Sequence, residues 1–449
     1  MDVTADNFWS LLPTIMLIIA SSDYIALDME MTGISVKDDP PNPGTLTMEQ
    51  AYDRMRTAAS TFQAVQIGLT CARWASETDS YQSFTFSVGI SPMLVTDGSI
   101  SQKMARVVDR KLTLSYQSLL VLQRHGFNLG ETLGRRVPYL NREELCDVRT
   151  EMVDDKTYER SASGSYAQRK EDAIEATKEA LTKQLGLSWI IEALTDHGQL
   201  GDYNGTVVQP APTHGIDHNI LHSLGEDPST WPPDPEAQWL EILRRAEKNK
   251  PVIVGHNVGY DLCFLHAMFI RRLPDKTEDF RRRIHHLFPR VLDTKALVSP
   301  GFDPDIIGQS LGAIFGDLAC QSYPFVSSVP VLVLTGQGYM TAMVFLKVAT
   351  RQLYLQGQAV LETNNAIDGT NHGHCGEERA QGSGWQPVWL EDADRLDPYI
   401  LGQADPNGSR LPEFQTGFFG PVRNRLRMSL AGILFLEDDV EDGGPEGGA

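Results

Sequence analysis

Residues 23–35 read Asp-Tyr-Ile-Ala-Leu-Asp-Met-Glu-Met-Thr-Gly-Ile-Ser, and they leave the chain little local freedom. Tyr24 to Leu27 is a short apolar run of the kind that forms a buried strand. Asp28 and Glu30 follow two apart, so their side chains project from one face. Gly33 breaks the strand just beyond them and leaves a rim at its end. Like charges this close repel and raise each other's pKa unless a cation neutralises them. Hard divalent ions, Mg²⁺ above all, take oxygen ligands of this sort. The plainer reading of Asp-x-Glu is a solvated strand edge, so the rest of the chain has to supply further ligands.

At 449 residues with 41% hydrophobic side chains, the chain can build one large domain or two to three ordinary ones. Its five cysteines, Cys71, Cys146, Cys263, Cys320 and Cys375, are scattered without Cys-x-x-Cys spacing. That argues against a disulfide framework or a zinc site and for a reducing, intracellular compartment, nucleus or cytoplasm. Leu11 to Ala20 is apolar but short, contains Pro13 and follows an acidic N-terminus. It reads as a packed helix, with no membrane anchor expected. The net charge of −20 argues against general nucleic-acid coating but does not exclude a nuclease, which keeps its basic residues local. Two local basic runs, Arg281-Arg282-Arg283-Ile284-His285-His286 and Arg423-Asn424-Arg425-Leu426-Arg427, read as solvated faces.

Thr47-Met48-Glu49-Gln50 has capping-box spacing, and Met48, Tyr52, Met55 and Ala59 continue it as a helix. Phe62 to Trp74 and Tyr81 to Val88 read as strands joined through a polar turn, giving the carboxylate strand antiparallel or mixed neighbours. Residues 1–150 are expected to form the first half of one domain. Residues 151–235 change character and read as an insert, partly helical over Asp172 to Leu187 and partly loop. Regular structure resumes with a helix over Glu236 to Lys248, and 236–360 form the second half. A low-order linker is expected over 361–410, a further segment over 411–436, and an acidic, disordered tail over 437–449.

Pro251-Val252-Ile253-Val254-Gly255 reads as a buried strand, and a helix is expected to begin at His256. Val258, Leu262, Leu265 and Phe269 form its apolar stripe, and Asp261 falls on that stripe. A buried carboxylate is normally paired, hydrogen-bonded or bound to metal. Two readings therefore stand: a core Asp bonded to a backbone N–H or an Arg, or a third metal ligand beside Asp28 and Glu30.

Asp28-x-Glu30-x-x-Gly33-Ile34-Ser35, Gly255-His256-Asn257-x-x-x-Asp261 and Leu292-Asp293-Thr294-Lys295 occur in an order that resembles a known family. Gln66-Ile67-Gly68-Leu69, His125-Gly126-Phe127-Asn128, Val137-Pro138-Tyr139-Leu140-Asn141 and Phe288-Pro289-Arg290 agree with it. The family is that of the PARN-type poly(A)-specific ribonucleases, within the CAF family of DEDD-superfamily 3′-5′ exonucleases. The resemblance implies an α/β, RNase H-like mixed sheet flanked by helices, the DEDD exonuclease fold, with an insert between its halves. It implies a Mg²⁺-dependent deadenylase shortening poly(A) tails, with two Mg²⁺ ions clamping the attacking water and the leaving 3′ oxygen. Asp28, Glu30 and Asp261 match three of four acidic catalytic and metal-binding residues. Ile34, Asn257, Asp293 and Lys295 match supporting or RNA-contacting positions. The implied partner is single-stranded RNA ending in 3′ poly(A), and a homodimer is implied as one state.

The family's third motif is His-Glu-Ala-Gly-Tyr-Asp at a helix start, where His serves as general base and Asp as fourth ligand. Here Leu332 stands at the His position and Gln337 at the Asp position, just before Gly338-Tyr339-Met340 resumes the pattern. The run Val329 to Leu334 interrupts it abruptly, as translated intron would. The alternative is a catalytically dead RNA-binding or scaffold protein. With one ligand missing, any Mg²⁺ is expected to be weakly held and single. The insert also lacks the Arg-x-x-x-His signature of the family's small RNA-binding domain, so such a domain is not expected in 151–235.

Overall fold

The structure is a computed structural model that describes residues 1–35, 46–91, 109–124, 128, 130, 136–148, 181–196, 215–297, 310–318, 324, 326–328, 337–368, 410–416, 418–420, 422–428 and 431–437. Strand β1 (Asp2–Val3) leads into helix α1 (Phe8–Ala20), which takes Pro13 within its first turns and is buried along most of its length. Among the described residues no helix is long and apolar enough to cross a membrane. Strand β2 (Tyr24–Met31) follows, four residues longer than its apolar run, because β3 (Ala64–Ala75) hydrogen-bonds along nearly all of it. Between them, helix α2 (Met48–Thr61) opens with the expected capping box, both reciprocal bonds present.

β4 (Ser80–Gly89) returns antiparallel to β3, and β5 (Val252–Gly255) joins the other edge of β2 in parallel. β6 (Val291–Asp293) continues the parallel half, while β1 and β7 (Val326–Ser328) line the outer edge of β4. The order β1-β4-β3-β2-β5-β6 places the carboxylate strand in the middle of the sheet. An antiparallel ribbon lies on one side of it and parallel strands on the other. This is the RNase H-like mixed sheet that the motifs implied.

Alternation along β2 feeds two cores, one on each face. Ile25, Leu27 and Met29 enter the first with α1, α2 and the helices α4 (Pro235–Lys248), α5 (Gly259–Leu265) and α6 (Thr277–Leu287). Tyr24 and Ala26 enter the second, beneath the long helix α7 (Gln337–Asp368). Residues 181–196 and 215–231, read from sequence as parts of an insert, send Leu181, Leu185, Ile190, Leu221 and Trp231 into the first core. Trp189 of α3 (Ser188–Leu194) meets Trp239 of α4 edge-on at 5.7 Å, and Glu192 accepts two hydrogen bonds from Arg142. A polar, proline-rich neighbourhood concealed these contacts, since only residues distant in the chain complete them.

Two local expectations change. The helix after β5 begins at Gly259, not His256, because Asn257 takes a left-handed conformation (φ +57°) and turns the chain first. Helix α7 runs on to Asp368, through the opening residues of the expected linker. The rest of the linker, residues 151–180 of the insert, the interrupting run 329–334 and the tail from 438 lie outside the described residues.

Candidate active site

On the second face of β2, Tyr24 packs against Phe345 of α7, with ring centroids 4.9 Å apart. Beyond Ala26 on that face come Asp28 and Glu30, where α7 has reached its N-terminal end. Gly68 lies opposite Asp28 in the β2–β3 register, and Gly338 rests on Gly68 so closely that a Cβ there would come within 3.3 Å of the Gly68 carbonyl. Two glycines thus let the positive end of a long helix approach the acidic pair. Gln337, the residue at the expected fourth-ligand position, is the first of that helix.

Asp28 is half-buried, and its carboxylate makes no hydrogen bond among the described residues. Burial and the neighbouring Glu30 charge push its carboxyl up to about 7. Asp261 is buried at 7% exposure, and its Oδ1 accepts the Met29 N–H at 2.9 Å from a residue 232 positions away. The reason lies in the sheet: β5 pairs with β2 only from Tyr24 to Ala26, so the Met29 N–H beyond it faces an open edge. Burial, then the charge of Asp28, holds the Asp261 carboxyl well above the usual range. The structural reading of Asp261 is met, since its carboxylate satisfies a backbone N–H, and the same carboxylate lies against Asp28.

Asp293 is fully buried at the end of β6. Its Oδ1 accepts Asn257 N–H at 2.8 Å and Lys295 N–H at 2.9 Å, and its Oδ2 accepts Arg427 N–H at 2.9 Å. Burial pushes it up to about 6, partly offset by these bonds. It fixes backbone around the site and is sealed from substrate. Asn257 likewise contributes its turn and its N–H. Ile34 lies exposed at 48% on the rim beyond Gly33, whose α-carbon faces the Phe62 ring. Lys295 is half-buried beside His256.

Sequence reading missed the pair His256–Thr294. Thr294 Oγ1 donates to the Gly255 carbonyl at 3.0 Å and lies 2.8 Å from His256 Nδ1. The Nδ1 therefore carries the ring proton and Nε2 is left as an acceptor. Burial and the Lys295 charge lower the imidazole to about 4, so it is neutral near pH 7. The only sequence signal was His256 inside the second motif. Its partner, a Thr after an unrelated strand, carried none.

The structure brings Asp28, Glu30 and Asp261 to one end of the central strands, with Asp293 behind them. Among the described residues, no group of three His, Cys, Asp or Glu is arranged to hold an ion. The donor chemistry nonetheless fits a hard divalent cation, because burial, followed by the Glu30 charge at Asp28 and the Asp28 charge at Asp261, raises both carboxyls.

Acidic side chains on the central strand of an RNase H-like sheet, facing an acid on the following parallel unit, define a nuclease-type architecture. The chain belongs to the CAF1 family of ribonucleases, whose description matches residues 3–333. Among curated relatives, the pre-piRNA 3′-exonuclease trimmer of Bombyx mori is 25% identical over 327 residues, covering 66% of this chain and 57% of that protein. The poly(A)-specific ribonuclease PARN of Danio rerio is 26% identical over 340 residues, covering 67% and 50%. The chain thus spans about half the length of the curated relatives it matches. A solved structure of S. pombe Pop2p, in its Mg²⁺- and Mn²⁺-bound form, superposes with a TM-score of 0.39 at 13% identity, covering 78% of this chain and 92% of that one.

Proposed function

We propose that this chain derives from a Mg²⁺-dependent 3′-5′ exoribonuclease acting on the poly(A) end of single-stranded RNA inside the cell, and that the sequence as it stands binds RNA but cleaves it slowly. The observation that carries the reading is the meeting of Asp28 and Asp261, two unneutralised acids from distant parts of the chain, beside the start of α7. Asp28, Glu30 and Asp261 are the residues that would hold Mg²⁺, which would supply charge stabilisation to the attacked phosphate. The Met29 N–H orients Asp261 toward Asp28. Ile34, exposed on the rim, offers an apolar face to a terminal base. A water attacking phosphorus must lose a proton while the penultimate 3′ oxygen departs. The family's histidine for that proton has Leu332 in its place, and the fourth acid has Gln337.

General acid–base catalysis alone contributes roughly 10²- to 10⁴-fold. Incubated with labelled oligo(A) and Mg²⁺, the chain as it stands should trim slowly or not at all. Leu332→His together with Gln337→Asp should raise the rate at least a hundredfold, with single-nucleotide steps from the 3′ end. Brisk Mg²⁺-dependent trimming by the unaltered chain would refute the impairment, and no trimming by the double variant would refute the exonuclease reading.

A further inference from the structure

We infer that the hairpin β8 (Arg425–Arg427) and β9 (Ile433–Phe435) is a stacking platform for single-stranded RNA beside the acidic site, an inference that rests on the RNA-binding reading above. The two strands pair antiparallel with Arg425 opposite Phe435 and Arg427 opposite Ile433. Leu426, Met428, Leu434 and Leu436 are buried, so strand alternation turns Arg425, Arg427, Ile433 and Phe435 to the other face. There the Arg425 guanidinium lies 4.7 Å over the Phe435 ring, and that ring is 47% exposed. An aromatic face with a guanidinium above it is what an unpaired base and its phosphate recognise.

Arg423 of the second basic run pairs with Glu437 at 3.4 Å, as the arginines of the first run do with their own acids, and Arg425 differs from both. In α6, Arg281 and Arg282 pair with Glu278 and Asp279 one turn away, at 2.6 and 2.7 Å. Arg425 makes no ion pair among the described residues, in a protein of net charge −20. A guanidinium that makes no direct ion pair, with Glu437 as its acidic neighbour, is the place on such an acidic protein where a polyanion meets least repulsion.

The platform is also tied to the site. Arg427 N–H bonds Asp293 Oδ2, while Oδ1 of the same carboxylate holds Asn257, the turn that delivers Asp261. Arg425 lies about 7 Å further along the strand from Arg427 by strand rise, a separation on the nucleotide scale. Asn424 secures the hairpin's other end, accepting the Val291 N–H at 2.9 Å. RNA whose 3′ end enters the acidic cleft would meet the Arg425–Phe435 stack with nucleotides further from that end.

Anisotropy titrations of labelled oligo(A) of four and of fifteen nucleotides, with the full chain in Mg²⁺ buffer, test this. Arg425→Gln and Phe435→Ser should each weaken the fifteen-mer roughly tenfold and leave the four-mer and the melting temperature unchanged. Phe435→Trp, which keeps a stacking face, should retain fifteen-mer affinity. If the parent binds both RNAs and the variants match it, the platform is refuted while the RNA reading stands. If the parent binds neither, both fall together. Loss of affinity in Phe435→Trp equal to that in Phe435→Ser would also overturn the stacking role.

Discussion

Asp261 accepts a backbone N–H while lying against a second acid, Asp28. Its partner is a backbone N–H rather than an arginine, so an Asn Oδ1 can still accept from Met29 after Asp261→Asn. That change removes charge beside Asp28, and in chelator the melting temperature should hold or rise. Asp261→Ala leaves the Met29 N–H unsatisfied in the interior and should cost about 1–3 kcal/mol by chemical denaturation. Mg²⁺ should stabilise the parent and neither variant. A fall in Asp261→Asn as large as in Asp261→Ala would reverse this account. Asp28 adds a pH dependence. Its folded-state carboxyl is raised from 3.8 to about 7, so the folded protein holds a proton there that the unfolded chain has lost over that window. The contribution is full below the unfolded value and disappears as pH rises through 7. His256 and His266, both lowered to about 4, act oppositely and lose stability as pH falls from 6.5, so a raw profile mixes the two signs. Comparing Asp28→Asn with the parent in chelator isolates the acid: little difference near pH 4, and a variant more stable by about 2 kcal/mol at pH 8. Addition of Mg²⁺ should shrink that gap. Equal melts at both pH values would show that Asp28 is not perturbed.

Among the elements, the decisive contact is α7 on β3. Its N-terminal end sits at the level of Asp28 because Gly338 and Gly68 present backbone to backbone. A Cβ at Gly338 already lies 3.3 Å from the Gly68 carbonyl, a backbone group that cannot swing aside, and a valine adds two further methyls to that contact. Gly338→Val should therefore cost about 1–3 kcal/mol in a denaturant melt, by overpacking. Gly312→Ala and Gly316→Ala, in the helix Leu311–Leu318 with nothing within 4 Å of the added carbon, should stabilise by about 0.5–1 kcal/mol. If Gly338→Val also weakens Mg²⁺-dependent stabilisation while Gly312→Ala does not, the approach of α7 matters to the site as well as to the core. Local signals made other elements readable. The Thr47–Gln50 capping box announced α2, and Asp234 before Pro235 caps α4 by accepting the Ala237 N–H at 3.0 Å.

For the molecule as a whole, the second core depends on chain that returns late. Leu411, Phe414, Phe418, Phe419 and Val422 fill it beside Tyr24, Tyr81 and Phe345, and the Tyr81 hydroxyl accepts the Leu411 N–H at 3.0 Å. Removing residues 410–449 should expose this face, lose near-ultraviolet circular dichroism and abolish a cooperative melt. A cooperative transition within a few degrees of the parent would mean the sheet stands without it. The sequence by itself determined the carboxylate strand, the two acids on one of its faces, the two strands that follow it, the buried strand ahead of Asp261 and the presence of a buried acid there, but left the direction of their pairing open. Periodicity and short-range spacing encode all of these, because each depends on neighbours a few residues away. Tertiary structure alone decided that Asp261 would bond Met29, that Asp293 would turn inward to hold three backbone N–H groups, that Thr294 would set the tautomer of His256, and that part of the supposed insert belongs to the core. Apart from the Lys295 N–H, two residues from Asp293, these are contacts between residues tens to hundreds of positions apart, and no local pattern records which buried donor an acid will find once the sheet has closed around it.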